Sequence, residues 1–364
     1  RRRHSFPTRR SSDLRRTDKG VLIEGARTNL CLRSQEFDNA SWTKANCTIS
    51  ADAAVAPDGT TTADKLVTNN AATFGRPQQV ITTSAATAYT LSCYAKAGGW
   101  SFLRFRFAED TAPNCFFNLA TGAVGTKDAG WTSASMQALG NGWYRCIATY
   151  TTIGTSYTHR IIAENADNTS STGDGTSGIY IWGAQLEAAS FPSSYIPTTT
   201  ASATRAADVL TVPVSGLDYP LSLYGEGEYV GSVSATGHGL LSISNGTTSE
   251  RALFGQDGSA TVKANLTSRK AGAVEGSVSS VATLALNTAF KFAGRVTTND
   301  VRAALNGTLT TQDSSAANPA APNQIAFGNS QFSGGSNLMF GYLRRAAIWP
   351  RALTDAELTA VTGG

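Results

Sequence analysis

Short runs of alternating apolar and polar residues recur along the first half of this 364-residue chain. From residue 101 onward, apolar residues occupy one side of such a run, while Arg104 and Arg106 occupy the other. A period of two residues is that of a β-strand with one buried face. Runs of this kind, separated by turns rich in Gly, Asn, Asp and Thr, predict a β-sandwich. The predicted strands of this half are 89–96, 101–107, 143–150, 159–163 and 179–186.

The alternation stops between residues 191 and 208, where two prolines and a Ser/Thr/Ala tract predict an extended linker. We place a domain boundary near Ser202, which gives domains of 15–202 and 203–364. Strand patterns then resume, without any internal repeat of the first half. The predicted strands of the second half are 229–233, 239–244, 260–266, 290–296, 301–305, 324–327 and 338–349.

Two local signals complete the prediction of secondary structure. The Asn-Gly pair at 306–307 predicts a tight β-hairpin. Thr354 and Glu357 have the spacing of a helix capping box, and Leu353 and Leu358 fit the hydrophobic staple around it. We therefore predict an all-β chain of two consecutive antiparallel β-sandwiches (jelly rolls), with one short C-terminal helix.

Composition agrees with this class of fold. Only 15% of the residues are charged, and the 35 glycines suit a turn-rich β protein. No apolar run approaches the roughly 20 residues that cross a bilayer, so we expect no membrane insertion.

The N-terminus requires separate treatment. Residues 4–14 read HSFPTRRSSDL, which is the in-frame translation of a common short-read sequencing adapter. We therefore regard residues 1–14 as a disordered artefact, and we expect this chain to be the C-terminal piece of a longer protein. These residues hold five arginines and one aspartate, which account for the whole formal net charge of +4. Without them the chain is neutral, so we expect no nucleic-acid partner.

The five cysteines form no C-x-x-C motif and no Cys/His cluster, so a zinc site is not expected. Their odd number and wide spacing favour free, buried thiols. A bridge between Cys93 and Cys146, on neighbouring predicted strands, is left open.

Motifs in the first half resemble a domain that recurs in phage and prophage structural proteins. They are GVLIEGARTNL (20–30), SQEFDNASW (34–42), NGWYR (141–145), GAQLE (183–187), SYIPT (194–198) and TRAAD (204–208). The resemblance covers residues 19–208 and implies a jelly roll like those of carbohydrate-binding modules. It also implies that Glu24, Arg27, Arg205 and Asp208 recur at the ends of the domain. We expect these four charges to pair with one another rather than to contact a ligand.

The second half resembles concanavalin A-like, laminin-G-type sandwiches. Segments 301–309 and 341–358 carry this resemblance. In such domains the last core strand precedes an R-A-L-[ST]-x-x-E sequence, which residues 351–357 match.

The residues offer little for catalysis, and we predict that the chain is not an enzyme. Outside residues 1–14 the two histidines, His159 and His238, lie in different predicted domains. A Ser-His-Asp or Cys-His arrangement is therefore not expected. Glycosidases need two positioned carboxylates, which laminarinase-type relatives of the second fold carry as E-x-D-x-E. The nearest approach is Glu226 and Glu228, which we interpret as exposed residues at the start of a strand.

We expect no cofactor, with calcium as an open alternative. Asp167 and Asp174 lie on a Gly-rich polar loop and offer the hard oxygen ligands that Ca²⁺ prefers. Their spacing is not that of an EF-hand, and polar loops are commonly just solvated.

Sugar binding commonly uses an exposed aromatic ring beside polar groups that bond the hydroxyls. Trp100 and Trp131 follow glycine-containing turns, and Tyr157 falls in a predicted loop, so we expect these rings to be exposed. Arg104 and Arg106, on the non-core face of their strand, are the candidate polar groups. A subunit interface remains an alternative role for Trp100. The other tryptophans are predicted to be core (Trp143, Trp182, Trp349) or to pack at the sandwich edge (Trp42).

Three hypotheses follow for function. The first is a non-catalytic module of a phage tail or fibre protein that recognises a host-surface glycan. Its other partners would be virion proteins, and a homotrimer is left open. The second is a purely structural virion assembly module, and the third is an extracellular bacterial adhesin or enzyme-accessory module. The expected location is accordingly the virion or the extracellular space.

Overall fold

The computed structural model describes residues 15–70, 73–109, 113–208, 210–231, 239–257, 262–328 and 339–363. Residues 1–14, predicted to be an adapter artefact, and His238 lie outside these ranges. The described chain forms two compact units. We call residues 27–205 the first sandwich, and residues 15–26 together with 206–363 the second sandwich.

The strands are numbered in chain order. The second sandwich contributes the first two, β1 (Arg15–Thr17) and β2 (Gly20–Ile23). The first sandwich contains β3 (Arg27–Asn29), β4 (Thr43–Ala45), β5 (Cys47–Ala54), β6 (Ala63–Thr68), β7 (Arg76–Thr82), β8 (Ala88–Gly98), β9 (Phe102–Phe107), β10 (Asn114–Asn118), β11 (Ala123–Lys127), β12 (Trp131–Gly140), β13 (Trp143–Thr151), β14 (Ser156–Glu164), β15 (Gly178–Glu187) and β16 (Ala203–Arg205). The second sandwich continues with β17 (Leu210–Pro213), β18 (Leu221–Tyr229), β19 (Gly239–Ser244), β20 (Arg251–Gln256), β21 (Lys263–Lys270), β22 (Ala273–Thr283), β23 (Ala289–Thr297), β24 (Asp300–Leu305), β25 (Thr308–Leu309), β26 (Gln324–Phe327), β27 (Gly341–Trp349) and helix α1 (Asp355–Thr362).

Two six-stranded antiparallel sheets build the first sandwich. The front sheet has the order β11-β10-β9-β14-β7-β4, and the back sheet has the order β12-β13-β8-β15-β6-β5. Leu103, Phe105 and Phe107 of β9 meet Leu91 and Cys93 of β8 in the core between the sheets. The alternation in the sequence predicts these same inward faces.

The second sandwich also contains two antiparallel sheets, in the orders β1-β2-β27-β18-β23-β24-β25 and β17-β26-β19-β20-β21-β22. The predicted hairpin joins β24 to β25, with positive φ angles at both Asn306 (47°) and Gly307 (82°). Two positive φ angles in succession are the geometry that an Asn-Gly pair favours.

Helix α1 confirms the predicted capping box. The backbone N–H of Glu357 donates to the Thr354 hydroxyl at 3.3 Å, and the N–H of Thr354 donates to the Glu357 carboxylate at 2.8 Å. Leu353 and Leu358 are both buried, as the hydrophobic staple requires. The prediction of an all-β fold with two antiparallel sandwiches and a short terminal helix is confirmed for the described residues.

The N-terminal segment extends the second sandwich. Strand β2 pairs with β27, and Ile23, only 2% exposed, belongs to the core of this sandwich. The division observed therefore differs from the predicted one, in which residues 15–26 belong to the first domain.

Arg15 provides salt bridges to the two carboxylates near the ends of the first sandwich, those of Glu24 and Asp208. The N–H of Glu24 donates to the Asp208 carboxylate at 2.9 Å. Arg27 and Arg205 are direct partners across the short pair β3–β16. Pairing of Glu24, Arg27, Arg205 and Asp208 with one another stays a prediction.

Some predicted boundaries and environments are wrong. The strand predicted to begin at Tyr229 ends there instead, because β18 spans 221–229. Glu226 and Glu228 consequently lie inside a strand, and Glu228 is buried. Trp42 is a core residue rather than an edge residue, because its ring packs 4.8 Å from that of Phe37. Trp143 and Trp182 are buried, as predicted.

All five cysteines are buried and unbridged, which is the predicted state. Cys93 and Cys146 face each other directly across β8 and β13. Within the described residues, no helix is long and apolar enough to cross a membrane.

Candidate functional site: an arginine cluster on the front sheet

The outer face of the front sheet carries a cluster of arginines. Because side chains alternate along β9, burial of Leu103 and Phe105 in the core directs Arg104 and Arg106 to this outer face. The predicted orientation of both arginines is confirmed, while their contact with a ligand stays a prediction.

Neighbouring strands add two more arginines to the same face. Arg160 of β14 is the direct cross-strand partner of Arg106, and Gln78 of β7 is the direct partner of Arg160. Arg76 lies two residues before Gln78 on β7 and therefore shares its face. Three adjacent strands thus present guanidinium groups side by side.

An aromatic ring organises these groups. The guanidinium carbons of Arg104, Arg76 and Arg106 lie 4.4, 4.8 and 5.3 Å from the centroid of the Phe74 ring. Cation–π contacts of this kind attract each guanidinium to the ring without using its N–H groups. We call the group Phe74, Arg76, Arg104, Arg106 and Arg160 the arginine face.

Arg104 is the buried member of the arginine face. It is only 4% exposed, and its guanidinium forms a salt bridge of 2.6 Å with Glu164. Glu164 also accepts a 2.7 Å hydrogen bond from the N–H of Ser171. Burial lowers the pKa of Arg104 to about 10, Glu164 opposes that change, and the neighbouring arginines add to it.

Gln78 links the two arginines on either side of it. Its side-chain oxygen accepts hydrogen bonds from Nε of Arg76 (3.1 Å) and Nε of Arg160 (3.0 Å). Burial lowers the pKa of both arginines, and repulsion from Arg106 lowers it further. The Nε groups are thereby fixed. One outer nitrogen of Arg76 donates to the Phe74 carbonyl at 3.5 Å, and the other outer N–H groups of the two guanidiniums remain for another acceptor.

The positive charge of the arginine face is only partly balanced. Within the part of the chain that the structure describes, no carboxylate forms a salt bridge with Arg76, Arg106 or Arg160. Glu109 attracts Arg160, but its carboxylate is bound by the N–H (2.7 Å) and hydroxyl (2.6 Å) of Thr158. These three arginines are partly exposed, so an anion from solvent can reach them.

The predicted exposure of three aromatic rings is wrong. Trp100, Trp131 and Tyr157 are 8%, 1% and 1% exposed and belong to the core of the first sandwich. The ring of Trp131 lies 4.3 Å from that of Phe107, and Tyr157 lies in β14 rather than in a loop. A glycine turn allows a ring to fold either outward or inward, and burial of a large ring stabilises the fold by about 4–6 kcal/mol.

The two aspartates proposed as calcium ligands are both engaged within the protein. Asp167 accepts hydrogen bonds of 3.0 and 3.1 Å from the N–H of Thr126. Asp174 accepts from the N–H groups of Thr176 (2.8 Å) and Ser177 (2.6 Å) and so closes its own turn. Among the described residues, no three His, Cys, Asp or Glu side chains form a group that could hold a metal ion. Calcium binding stays a prediction, tested by melting with and without a chelator.

Part of the arginine face could not be found from the sequence. Arg76 and Gln78 alternate with Pro77 and Gln79, a pattern that indicates a strand but does not identify its neighbours. The pairing of β7 with β14 joins residues about 80 positions apart and depends on the whole sheet. Only that pairing brings Arg76 and Arg160 together.

Proteins similar to this chain are found among solved structures. No protein-family model matches the chain, and no curated protein matches it. The chain is similar to the CBM40 module of a Ruminococcus gnavus IT-sialidase bound to α2,3-sialyllactose, with a TM-score of 0.34, 16% identity and coverage of 42% of this chain and 96% of the other. It is also similar to a heptameric SAP-like pentraxin of Limulus polyphemus (TM-score 0.33, 13% identity, coverage 42% and 71%). A third similar structure is a variant of human galectin-16 (TM-score 0.27, 14% identity, coverage 38% and 94%). The fold described above rests on the strand pairing of this chain itself.

Proposed function

We propose that the chain is a non-catalytic carbohydrate-binding module whose ligand lies on the arginine face. The observation that carries this proposal is the set of partly exposed guanidinium donors held around Phe74 on an open sheet surface. Directional donors on a rigid strand framework are suited to bonding the oxygen atoms of a sugar.

The proposal of a non-catalytic role is supported by how the titratable groups are used. Glu228 forms a 2.8 Å salt bridge with Lys19, and Glu226 forms one of 3.2 Å with Arg344. His159 is fully buried, and its Nε2 lies 2.5 Å from the Tyr150 hydroxyl. Burial lowers the pKa of His159 to about 4. Because its imidazole is also shielded from solvent, His159 does not serve as a general acid or base for a bound substrate.

The setting that we propose is a phage tail or fibre, with a host-surface glycan as ligand and other virion proteins as partners. Support comes from the six phage-domain motifs between residues 20 and 208. A homotrimer would suit a fibre, and analytical ultracentrifugation of residues 15–364 tests it. Tail or baseplate genes beside the coding sequence would support this setting, whereas a secretion signal joined to a catalytic domain would contradict it.

A glycan microarray probed with residues 15–364 tests the proposed function. We expect bound glycans, and a signal at least tenfold weaker for Arg106→Gln and Arg160→Gln. Arg33→Gln is the matched control, because Arg33 belongs to the same sandwich and its side chain pairs with the partly exposed Glu36 at 2.9 Å. An array with no bound glycan would contradict the proposal and favour the purely structural assembly role.

A further inference from the structure

We propose that the arginine face selects an anionic sugar, with a carboxylate or sulfate group held between Arg76, Arg106 and Arg160. This inference rests on the proposed carbohydrate-binding function and adds the chemical class of the ligand. The charge of the arginine face, its available donors and its rigidity each favour an anionic ligand.

The positive charge of the arginine face favours the binding of an external anion. Four guanidiniums lie close enough to repel one another, and Glu164 forms a salt bridge with Arg104 alone. Like charges held together on a partly desolvated surface raise the free energy of the empty site. A carboxylate or sulfate that binds there removes this repulsion, whereas a neutral sugar does not.

The available donors also suit an anion. Nε of Arg106 is buried without a hydrogen-bond partner in the described structure. Gln78 accepts from Nε of Arg76 and Nε of Arg160. One outer nitrogen of Arg76 also donates to the Phe74 carbonyl at 3.5 Å, which leaves its second outer nitrogen and both outer nitrogens of Arg160 for an external acceptor. Guanidinium groups bind the two oxygens of a carboxylate through paired hydrogen bonds, which are stronger than those to neutral hydroxyls.

The donors are held in place before the ligand arrives. Arg76 and Arg106 make cation–π contacts with Phe74, and Gln78 is hydrogen-bonded to Arg76 and Arg160 on either side of it. Long side chains that are already ordered lose less entropy on binding. The arginine face therefore has the rigidity expected of a binding site.

An acidic sugar fits these observations better than a nucleic acid does. Residues 15–364 carry no formal net charge, and the arginine face occupies three adjacent strands. A nucleic-acid surface usually needs an extended basic stripe and an overall positive domain. Binding of single-stranded DNA is therefore an outcome to be tested.

The sharpest test converts Gln78 to Glu, which places a carboxylate between Arg76 and Arg160 without changing side-chain volume. The new carboxylate should neutralise positive charge of the neighbouring guanidiniums that would otherwise attract the ligand. The matched control is Gln137→Glu, since Gln137 is exposed on β12 of the back sheet. Both variants add the same charge to the same sandwich.

The probes are tetragalacturonate, a κ-carrageenan tetrasaccharide, maltotetraose and a single-stranded DNA 12-mer, titrated calorimetrically at about 150 mM salt. We expect at least one of the two anionic sugars to bind more than tenfold tighter than maltotetraose, and the carboxylated and sulfated probes to show which group is preferred. For Gln78→Glu that affinity should fall at least tenfold with no loss of melting temperature, while Gln137→Glu should bind like the unmodified chain.

Several outcomes would overturn the inference. Equal binding of the anionic sugars by Gln78→Glu and Gln137→Glu would show that the site lies outside the arginine face. DNA binding at least as tight as that of the anionic sugars would show a general polyanion surface. Maltotetraose binding that is weakened by Arg106→Gln, without preference for the anionic sugars, would refute the inference while preserving the proposed function. Failure of every sugar in the calorimeter and on the array would refute both.

Discussion

The Arg104 side chain combines two properties that rarely occur together: it is nearly fully buried, and it lies among three other arginines. Its guanidinium is tolerated because Glu164 lies 2.6 Å away and because the Phe74 ring covers its face. A buried charge that loses its partner is far more costly than the intact pair is stabilising. Glu164 is therefore a structural support for the arginine face.

We predict that Glu164→Gln lowers the free energy of unfolding by about 3–5 kcal/mol. The physical reason is that Arg104 would remain buried and charged without a counter-ion. Urea denaturation measures the change, and Arg104→Met combined with Glu164→Gln should recover part of the loss. A cost for Glu164→Gln below about 1 kcal/mol, as for an exposed pair, would contradict this account.

The buried His159 gives a pH-dependent prediction. Burial lowers the pKa of His159 from its usual 6.5 to about 4 in the folded state. Between these two values the unfolded chain binds a proton that the folded chain does not, so stability falls as the pH is lowered from 6.5 towards 4. The whole effect is roughly 3 kcal/mol and is absent above pH 6.5.

Urea denaturation of the unmodified chain and of His159→Gln, between pH 4 and 8, measures this contribution. The other titratable groups are common to both proteins, so the difference between the two curves reports His159. We expect the variant to lose less stability than the unmodified chain below pH 6.5. Parallel curves over that range would show that His159 titrates normally.

At the scale of strands, the sequence predicts faces better than it predicts neighbours. The alternation in β9 is local, so the outward direction of Arg104 and Arg106 could be predicted from seven residues. Pairing of β7, β14 and β9 is set by the packing of the whole sandwich, so the cluster of Arg76 with Arg160 could not. For the same reason the burial of Trp100 could not be predicted from the turn beside it.

Strands β8 and β13 place Cys93 directly opposite Cys146 in the core of the first sandwich. Burial raises the pKa of Cys31 and Cys115 to about 12 and that of Cys47 to about 11. Because the thiolate is the reactive form, these thiols should react only when the strands separate.

We therefore predict that Ellman's reagent modifies none of the five cysteines of the folded chain at pH 8, and all five once the chain is denatured. Any slow modification of the cysteines in the absence of denaturant should proceed at the rate at which the chain unfolds. Rapid modification of the folded chain, or fewer than five reactive thiols after denaturation without reductant, would contradict the free, buried state.

At the scale of the whole molecule, the second sandwich is completed by residues that precede the first sandwich in the chain. Ile23 of β2 lies in the second core, and β2 pairs with β27. We predict that Ile23→Ala destabilises the second sandwich by about 2–5 kcal/mol and leaves the first unchanged.

Hydrogen exchange with mass spectrometry separates the two sandwiches. For Ile23→Ala, peptides from β18 and β23 should exchange faster, while those from β8 and β13 should not change. Ile49→Ala, in the first sandwich, is the control and should give the reverse pattern. Faster exchange in β8 and β13 for Ile23→Ala would contradict the assignment of β2.

The central claim is that the arginine face binds an anionic sugar, and nuclear magnetic resonance of the arginine side chains tests it most directly. In a titration of residues 15–364 with tetragalacturonate, we predict that the Nε–Hε signals of Arg76, Arg106 and Arg160 shift together along one binding curve. The signal of Arg33, elsewhere on the same sandwich, should stay in place. Shifts at Arg33 without shifts at these three arginines, or no shift at any arginine for this sugar or its sulfated counterpart, would contradict the claim.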